Sequence, residues 1–389
     1  MQLTLPKEDG SLRPYTQVND VSAFAAVQPA RWNRTAYAAA HVVVDPLKPC
    51  DPWDGSPVVD WDATLRFREY LWRLGFKIAE AMDTAQRGMG LDWPTALELI
   101  RRSIAHARTI PGADLACGVG TDQLAADARP TIADVKHAYE EQIEAVEAAG
   151  GRIILMASRA LAAAARSVDD YRRVYGDLLG QCKDKVVLHW LGEMFDPKLG
   201  GYWGSADIPR AMEAVLDIVN ANAAKIEGIK ISLLDAKWEV EMRRKLPPGV
   251  LMFTGDDFNY DTLIAGDGTQ HSHALLGIFD PIAPIASAAL ARLAVGNAAA
   301  YKELMTPTIP LSREIFRAPT RHYKAGVIFI AWLNGHQSHF VAAGGLQSAR
   351  SVLHYARVFE LADRCGALID PELAGTRMRA FLQVHAGIS

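Results

Sequence analysis

The chain has 389 residues, half of them hydrophobic and 22% charged, with a formal net charge of -4. This is the balance of a chain able to bury a large core, and it excludes the concentrated basic surface that a nucleic-acid backbone demands. Apolar runs are broken by charges well short of a membrane span and the opening MQLTLPKEDG lacks a signal-peptide core, so a cytoplasmic protein with a small-molecule partner and no membrane or nucleic-acid partner is expected.

In chain order, residues 1–37 read as an N-terminal arm. From there a short apolar run followed by an amphipathic stretch recurs eight times, the signature of βα units. The runs expected as strands are 38–44, 77–81, 114–118, 152–156, 185–190, 228–232, 250–253 and 274–278, mostly continuous, as parallel strands covered on both sides should be. The helices between and after them are expected over 62–74, 93–107, 132–149, 168–179, 208–223, 238–245, 257–265 and 282–294. Asp92, with Pro94 in the first turn, suits the start of the second helix, and Gly150-Gly151 suits the end of the third. Eight such units without a GxGxxG turn after the first favour a closed α/β barrel, the (β/α)8 TIM barrel, over an open doubly wound sheet. Residues 38–296 form that barrel. Residues 297–389 read as an all-helical C-terminal extension packed on it, with periodic stretches at 298–304, 321–333, 346–367 and 371–382. That extension caps the bottom, lengthens a helix layer for oligomer contact, or leans over the mouth; the pattern alone leaves all three open.

Cys50, Cys117, Cys182 and Cys365 lie far apart with no CxxC pair and read as free thiols. The acidic run Glu140, Glu141, Glu144 and Glu147 reads as one solvated helix face.

Active sites of parallel barrels gather at the carboxyl ends of the strands. The residues there are Asp45, Asp83, Thr84, Thr121, Ser158, Arg159, His189, Glu193, Lys230, Asp256 and Asp257. A lysine ending a strand among apolar walls is desolvated, which lowers its pKa toward a nucleophilic amine. His271 and His273 precede the eighth strand and so belong to the opposite, stability face. His336, His339 and His354 share a helical region with no carboxylate at ligand spacing, and read as structural.

KIEGIKISLLD (225–235) and VLMFTGDD (250–257) resemble the lysine strand "IVGIKE" and the "SGDD" strand end of the dihydrodipicolinate synthase and N-acetylneuraminate lyase superfamily. ALLGIFDPIAP (274–284) is similar to its final strand, and 43–62 to its opening strand and loop; the likeness runs in order over roughly 38–304. Within that superfamily the chain length and PCDPWDG (49–55) resemble the DUF993 group. The resemblance implies a TIM-barrel class I lyase whose Lys230 forms a Schiff base, with no separate cofactor, assembled as a homodimer or homotetramer.

The sequence departs from the superfamily at three strand ends. His189 stands where the family carries the tyrosine of its "YNVP" turn, and a histidine there serves as acid and base near neutral pH. AMDTAQRG (81–88) replaces the carboxylate-binding "GTTGE" loop; only Thr84 keeps a hydroxyl, and Asp83 repels a carboxylate. Asp83, Thr84, Gln86 and Arg87 therefore suit sugar hydroxyls, with Arg87 still able to clamp an acid group. MASRALAAAA (156–165) lacks the aromatic of the family's "PPYY" segment, and Trp190, Tyr202 and Trp203 offer ring faces on which a sugar could stack. Arg159, Glu193, Asp256 and Asp257 complete the expected substrate-binding set around the catalytic pair Lys230 and His189.

Three readings follow. In the first, Lys230 makes an imine with a keto-sugar or sugar-derived keto acid, and His189 moves the proton for cleavage or dehydration. In the second, His189, Glu193, Asp83 and Asp256 hold Mg2+ or Mn2+ for an isomerase, epimerase or aldolase. In the third, the barrel binds a sugar without turning it over.

Overall fold

The computed structural model describes residues 1–19, 32–49, 57–125 and 129–389. The reading of Cys50, and most of the PCDPWDG motif, lies outside the described residues.

The chain begins with an antiparallel hairpin, β1 (Gln2–Pro6) and β2 (Leu12–Thr16). Eight parallel strands then close a barrel: β3 (Ala36–Ala39), β4 (Lys77–Glu80), β5 (Leu115–Val119), β6 (Arg152–Leu155), β7 (Val186–Leu191), β8 (Ile226–Ser232), β9 (Leu251–Thr254) and β10 (His273–Leu276), with β10 pairing back onto β3. Seven of the eight lie within two residues of their predicted runs at both ends. The first departs most, because Val43 and Val44 leave the barrel for a short antiparallel contact with Val58, Val59 and Asp60.

The helices around the barrel are α1 (Trp61–Arg73), α2 (Trp93–Ala107), α3 (Ile132–Ala149), a short α4 (Arg159–Ala164), α5 (Val168–Gln181), α6 (Ile208–Ala221), α7 (Ala236–Lys245), α8 (Tyr260–Ala265) and α9 (Ala283–Ala294). Their ends follow local chemistry. Asp92 accepts from Thr95 N at 2.9 Å to cap α2, and Gly150 closes α3 in the left-handed conformation at φ 83°. α8 starts three residues later than expected, because the Asp256 carboxylate accepts from Phe258 N (2.8 Å) and Asn259 N (3.1 Å) and holds that stretch as a turn.

Side chains alternate along each strand, so one set fills the barrel and the other packs against the helices. Inside are Tyr37, Ala39, Ala79, Met82, Ala116, Ile154, Val187, Phe253 and Leu275. The outward set joins the helices in the larger core, each buried large side chain contributing on the order of 1.5–3 kcal/mol. At the amino ends of the strands an ionic plug closes the interior: Asp114 pairs with Lys77 (2.8 Å) and Arg152 (3.1 Å), and Arg152 also reaches Glu227 (3.2 Å) and the Tyr37 hydroxyl (2.6 Å). His273 belongs to this end, its Nδ1 accepting from Thr35 N at 2.8 Å.

The C-terminal helices are α10 (Ala298–Met305), α11 (Ile309–Ile315), α12 (Tyr323–Leu333), α13 (Val352–Cys365) and α14 (Pro371–Ala386). The stretch expected as one helix over 346–367 is divided, because Arg350 and Ser351 are extended (ψ 152° and 162°) and Ser351 starts α13 afresh with a side-chain cap. Of the three placements left open by the sequence, the structure has the extension over the carboxyl ends of the strands. Phe316 and Tyr323 pack where a Cβ on Gly277 would lie, Ser312 donates to the Asp257 carbonyl, and Gln86 exchanges two hydrogen bonds with the Ala343 backbone (2.9 and 3.0 Å). The hairpin fastens to the same helices, with Tyr15 Oη donating to Asp363 Oδ2 (2.8 Å) and Arg13 paired with Glu360 (2.6 Å). Among the described residues no helix is long and apolar enough to cross a membrane.

Candidate active site

The alternation that fills the barrel also selects what faces its mouth. On β7, Val187 is an interior residue, so His189 points inward as well; on β8, Lys230 is its register partner. Gly118 on β5, and Gly255 and Gly277 just past the neighbouring strands β9 and β10, stand at upper strand ends and leave a hollow where side chains would otherwise meet. Gly255 is required: a Cβ there would lie 2.6 Å from Lys230 Cε and would run into Ser232 Oγ.

Lys230 is 9% exposed, and among the described residues no hydrogen bond or ion pair holds its Nζ. Burial lowers its pKa, opposed by the charges of Asp257 and Asp83. Asp257, whose Oδ1 accepts from Ile278 N at 3.0 Å, is pushed up to about 8 by the same burial, against the pull of Lys230. Desolvation thus drives this pair toward a free amine beside a protonated carboxyl. His189 is held well below its ordinary range, first by burial and then by Lys230. Its Nε2 lies 3.3 Å from Ser232 Oγ, and its buried Nδ1 has no partner. The histidine expected to act as acid and base near neutral pH is thus pushed toward its neutral imidazole, the form that accepts a proton.

A cavity of about 630 Å³ opens from His189 across the ends of β4 to β7. Asp83, Thr121, Ser158 and Arg159 line it with polar groups, and Leu124, Ala160, Ala163, Leu191 and Leu199 with apolar ones. Lys230 stands one strand beyond the wall that His189 makes. Thr121 Oγ1 and Ser158 Oγ are 2.6 Å apart. Behind Ser158, where the sequence shows no aromatic, Tyr202 Oη accepts from Ser158 N (3.1 Å) and lies 2.9 Å from Tyr175 Oη.

The structure brings Asp83, Arg159 and Asp257 into this neighbourhood and sets the other expected binding residues to different tasks. Thr84 is buried and bonds Tyr323 Oη at 2.8 Å. Gln86 is spent on the Ala343 backbone. Arg87 borders the cavity, but its donors are taken by Asp122 (2.7 and 3.0 Å), Gln142 and the carbonyls of Gly118 and Ala81, so none is left to clamp an acid. Trp190, one residue from His189, must point to the other side of the sheet, and is buried against Trp203. Tyr202 and Trp203 are themselves buried and offer no stacking face. Glu193 is exposed and outside the cavity wall. Asp256 is consumed by its own turn, its second oxygen accepting from Asn259 Nδ2 at 2.8 Å. The set His189, Glu193, Asp83 and Asp256 is therefore not assembled, and among the described residues no group of three His, Cys, Asp or Glu is placed to hold a metal.

Sequence reasoning missed Tyr323 and Lys324. Tyr323 stacks on Phe316 (4.3 Å) while bonding Thr84, and the Nζ of the buried Lys324 lies 4.0 Å from Asp83 Oδ2. No local signal marks them, since they are some 240 residues from their partners. His354 also gains a carboxylate partner from another helix, Glu314 of α11 at 2.7 Å.

The closed eight-stranded barrel with its surrounding helices is the fold of solved dihydrodipicolinate synthases. A dihydrodipicolinate synthase family protein from Coccidioides immitis superposes with a TM-score of 0.59 at 15% identity, covering 92% of this chain and 99% of that one. The chain belongs to the DUF993 family, described as a protein of unknown function, whose model matches residues 3–388. Dihydrodipicolinate synthases from Aquifex aeolicus (TM-score 0.60, 10% identity, 90% and 97% coverage) and Bacillus clausii (0.61, 13%, 84% and 96%) share the fold. No curated protein matches the sequence.

Proposed function

We propose that the protein is a class I lyase that forms a Schiff base through Lys230. The observation that carries this reading is a buried amine, unpartnered among the described residues, beside a neutral imidazole with one free ring nitrogen. The neutral amine is the nucleophile, and desolvation raises its share near neutral pH. Lys230 Nζ adds to a substrate ketone and water leaves, giving an iminium. The iminium then takes up the electron pair of a breaking C–C bond while His189 Nδ1 accepts the proton of the hydroxyl on the departing carbon. Dehydration uses the same iminium, with His189 taking a C–H proton as hydroxide leaves.

The cavity is large for a three-carbon acid. Asp83, Thr121 and Ser158 are hydroxyl-directed groups, which favours a keto-sugar or a sugar-derived keto acid. The test is intact mass after borohydride treatment with a panel of such ketones. A stable adduct is expected on the wild type and not on Lys230→Ala; an adduct that survives the substitution, or unimpaired turnover by the variant, removes Lys230 from the mechanism.

A further inference from the structure

The cavity runs from a buried end to an open one. His189, 2% exposed, closes it inside, while the Arg159 side chain after β6 is 44% exposed and Lys198, in the loop after β7, lies at the surface. The hydroxyls of Thr121 and Ser158 line it deeper in, both residues being buried. A ligand whose carbonyl reaches the His189 end leaves its far end at the rim that Arg159 and Lys198 form.

The charges of the cavity balance except at that rim. Among the described residues its carboxylates are Asp83, Asp122 and Asp196. Asp83 Oδ2 lies 4.0 Å from the Nζ of buried Lys324, Asp122 accepts from two Arg87 nitrogens (2.7 and 3.0 Å), and Asp196 accepts from Arg159 Nε. Each carboxylate thus has a cation of its own, and Lys198 is left over: among the described residues no hydrogen bond or ion pair holds its Nζ.

Arg159 also keeps capacity in reserve. A guanidinium carries five N–H donors in a fixed fork, and only Nε is engaged; Nη1 and Nη2 make no hydrogen bond among the described residues. The side chain reaches from β6 to the loop after β4, where Nη1 lies 3.5 Å from the place a Cβ on Gly88 would take. Asp196 ties the two rim residues together. While its Oδ2 holds Arg159, its Oδ1 accepts from the Lys198 backbone N at 3.1 Å and sets the turn Pro197–Leu199. That carboxylate orients the guanidinium by one edge and leaves the other edge open, the arrangement that takes an oxyanion in two-pronged fashion.

We propose that Arg159 and Lys198 form an oxyanion subsite at the rim, and that the substrate is a polyhydroxy ketone with a phosphate or carboxylate at the end far from its carbonyl. The assignment of ends rests on the imine reading above; the subsite itself rests on the cavity and its charges. Asp83 does not bar an anion from this cavity, because Lys324 offsets it.

Two measurements test the proposal, the first without any ketone. Trace acetylation by acetic anhydride, read by peptide mass spectrometry, reports Lys198 and Lys230 in one digest, with the exposed Lys183, outside the cavity, as internal standard. Inorganic phosphate or malonate, against chloride at equal ionic strength, is expected to slow Lys198 labelling by about twofold or more, and Arg159→Gln to abolish that protection. Protection by phosphate alone assigns a phosphate, and protection by malonate a carboxylate. Protection by neither overturns the subsite; protection that persists in Arg159→Gln means an adventitious ion only, and overturns it too.

The second measurement is borohydride trapping with fructose, fructose 6-phosphate and fructuronate, which differ only at the far end, and with dihydroxyacetone and its phosphate. An anionic ketone is expected to reach half-maximal adduct at about tenfold lower concentration than its neutral counterpart, and Lys198→Ala and Arg159→Gln to bring the two together. Equal trapping of neutral and anionic ketones by the wild type overturns the proposal and keeps the imine. No adduct with any ketone removes the imine reading, and the protection of Lys198 then decides the subsite alone.

Discussion

His189 and Lys230 are register partners on adjacent strands of the barrel, and among the described residues neither His189 Nδ1 nor Lys230 Nζ has a hydrogen-bond partner. Buried polar atoms are normally satisfied, so the unpartnered buried Nδ1 of His189 beside Lys230 leaves hydrogen-bonding capacity at this register pair for something else.

The first prediction concerns pH. Burial, first, and then Lys230 hold the His189 pKa well below 6.5. The profile of kcat/KM should therefore lack an inflection near 6.5. His189→Asn should lower kcat by about a hundredfold or more while the borohydride adduct still forms. A profile with a clear limb at 6.5 that disappears in the variant would show instead that the imidazole titrates there.

Gly255→Ala tests the close approach. The added methyl meets Lys230 Cε and Ser232 Oγ in the crowded end of β9. Overpacking of this kind costs about 1–3 kcal/mol, so a modest fall in the urea midpoint is expected. A much larger loss of Lys230 labelling should accompany it, because the displaced atom belongs to the nucleophile.

Glu80 tests the support behind the loop that carries Asp83. Its carboxylate is fully buried, bonded to Arg68 at 2.8 and 2.9 Å, Ser103 Oγ at 2.6 Å and Ala81 N at 2.9 Å. Burial opposes its ionisation, but Arg68, Ser103 and the Ala81 amide outweigh that and hold its pKa below 4.5. A lowered carboxylate adds stability that is present above the unfolded value and lost as pH falls through the folded one. Glu80→Gln should cost about 3–5 kcal/mol near neutral pH. The gap between variant and wild type in urea denaturation should narrow below pH 4.5; a gap independent of pH would count against the ion pair.

Tyr15→Phe removes the hydroxyl that binds Asp363 and leaves the ring against Phe359. The expected loss is about 1 kcal/mol, with Lys230 labelling unchanged, since the hairpin lies far from the cavity in the chain of contacts.

The barrel was legible because its signal is periodic and local: eight apolar runs, a capping Asp92 and a terminating Gly150 each declare themselves within a few residues. Lys230 and His189 were legible by position, at strand ends. Trp190 could have been placed correctly by the same logic, because a residue next to an inward-facing His189 faces outward in a strand. Asp256 was misread because a carboxylate followed by Phe258 and Asn259 can serve its own turn as well as a ligand. Tyr323 and Lys324 were not legible at all. Their roles come from α12 landing on β4, a tertiary event for which neither segment carries a mark.

The meeting of the hairpin with α13 and α14 orders the making of the protein. All eight barrel strands are complete once residue 276 has been synthesised, yet Asp83 then has no Lys324 beside it, and Thr84 and Gln86 face no partner. Tyr15, Gln17 and the Gln2 carbonyl wait longer still, for Asp363, Pro371 and Arg379. The hairpin is thus among the last parts of this chain to find its place, and a barrel already closed at its floor stays unroofed until α12, α13 and α14 arrive.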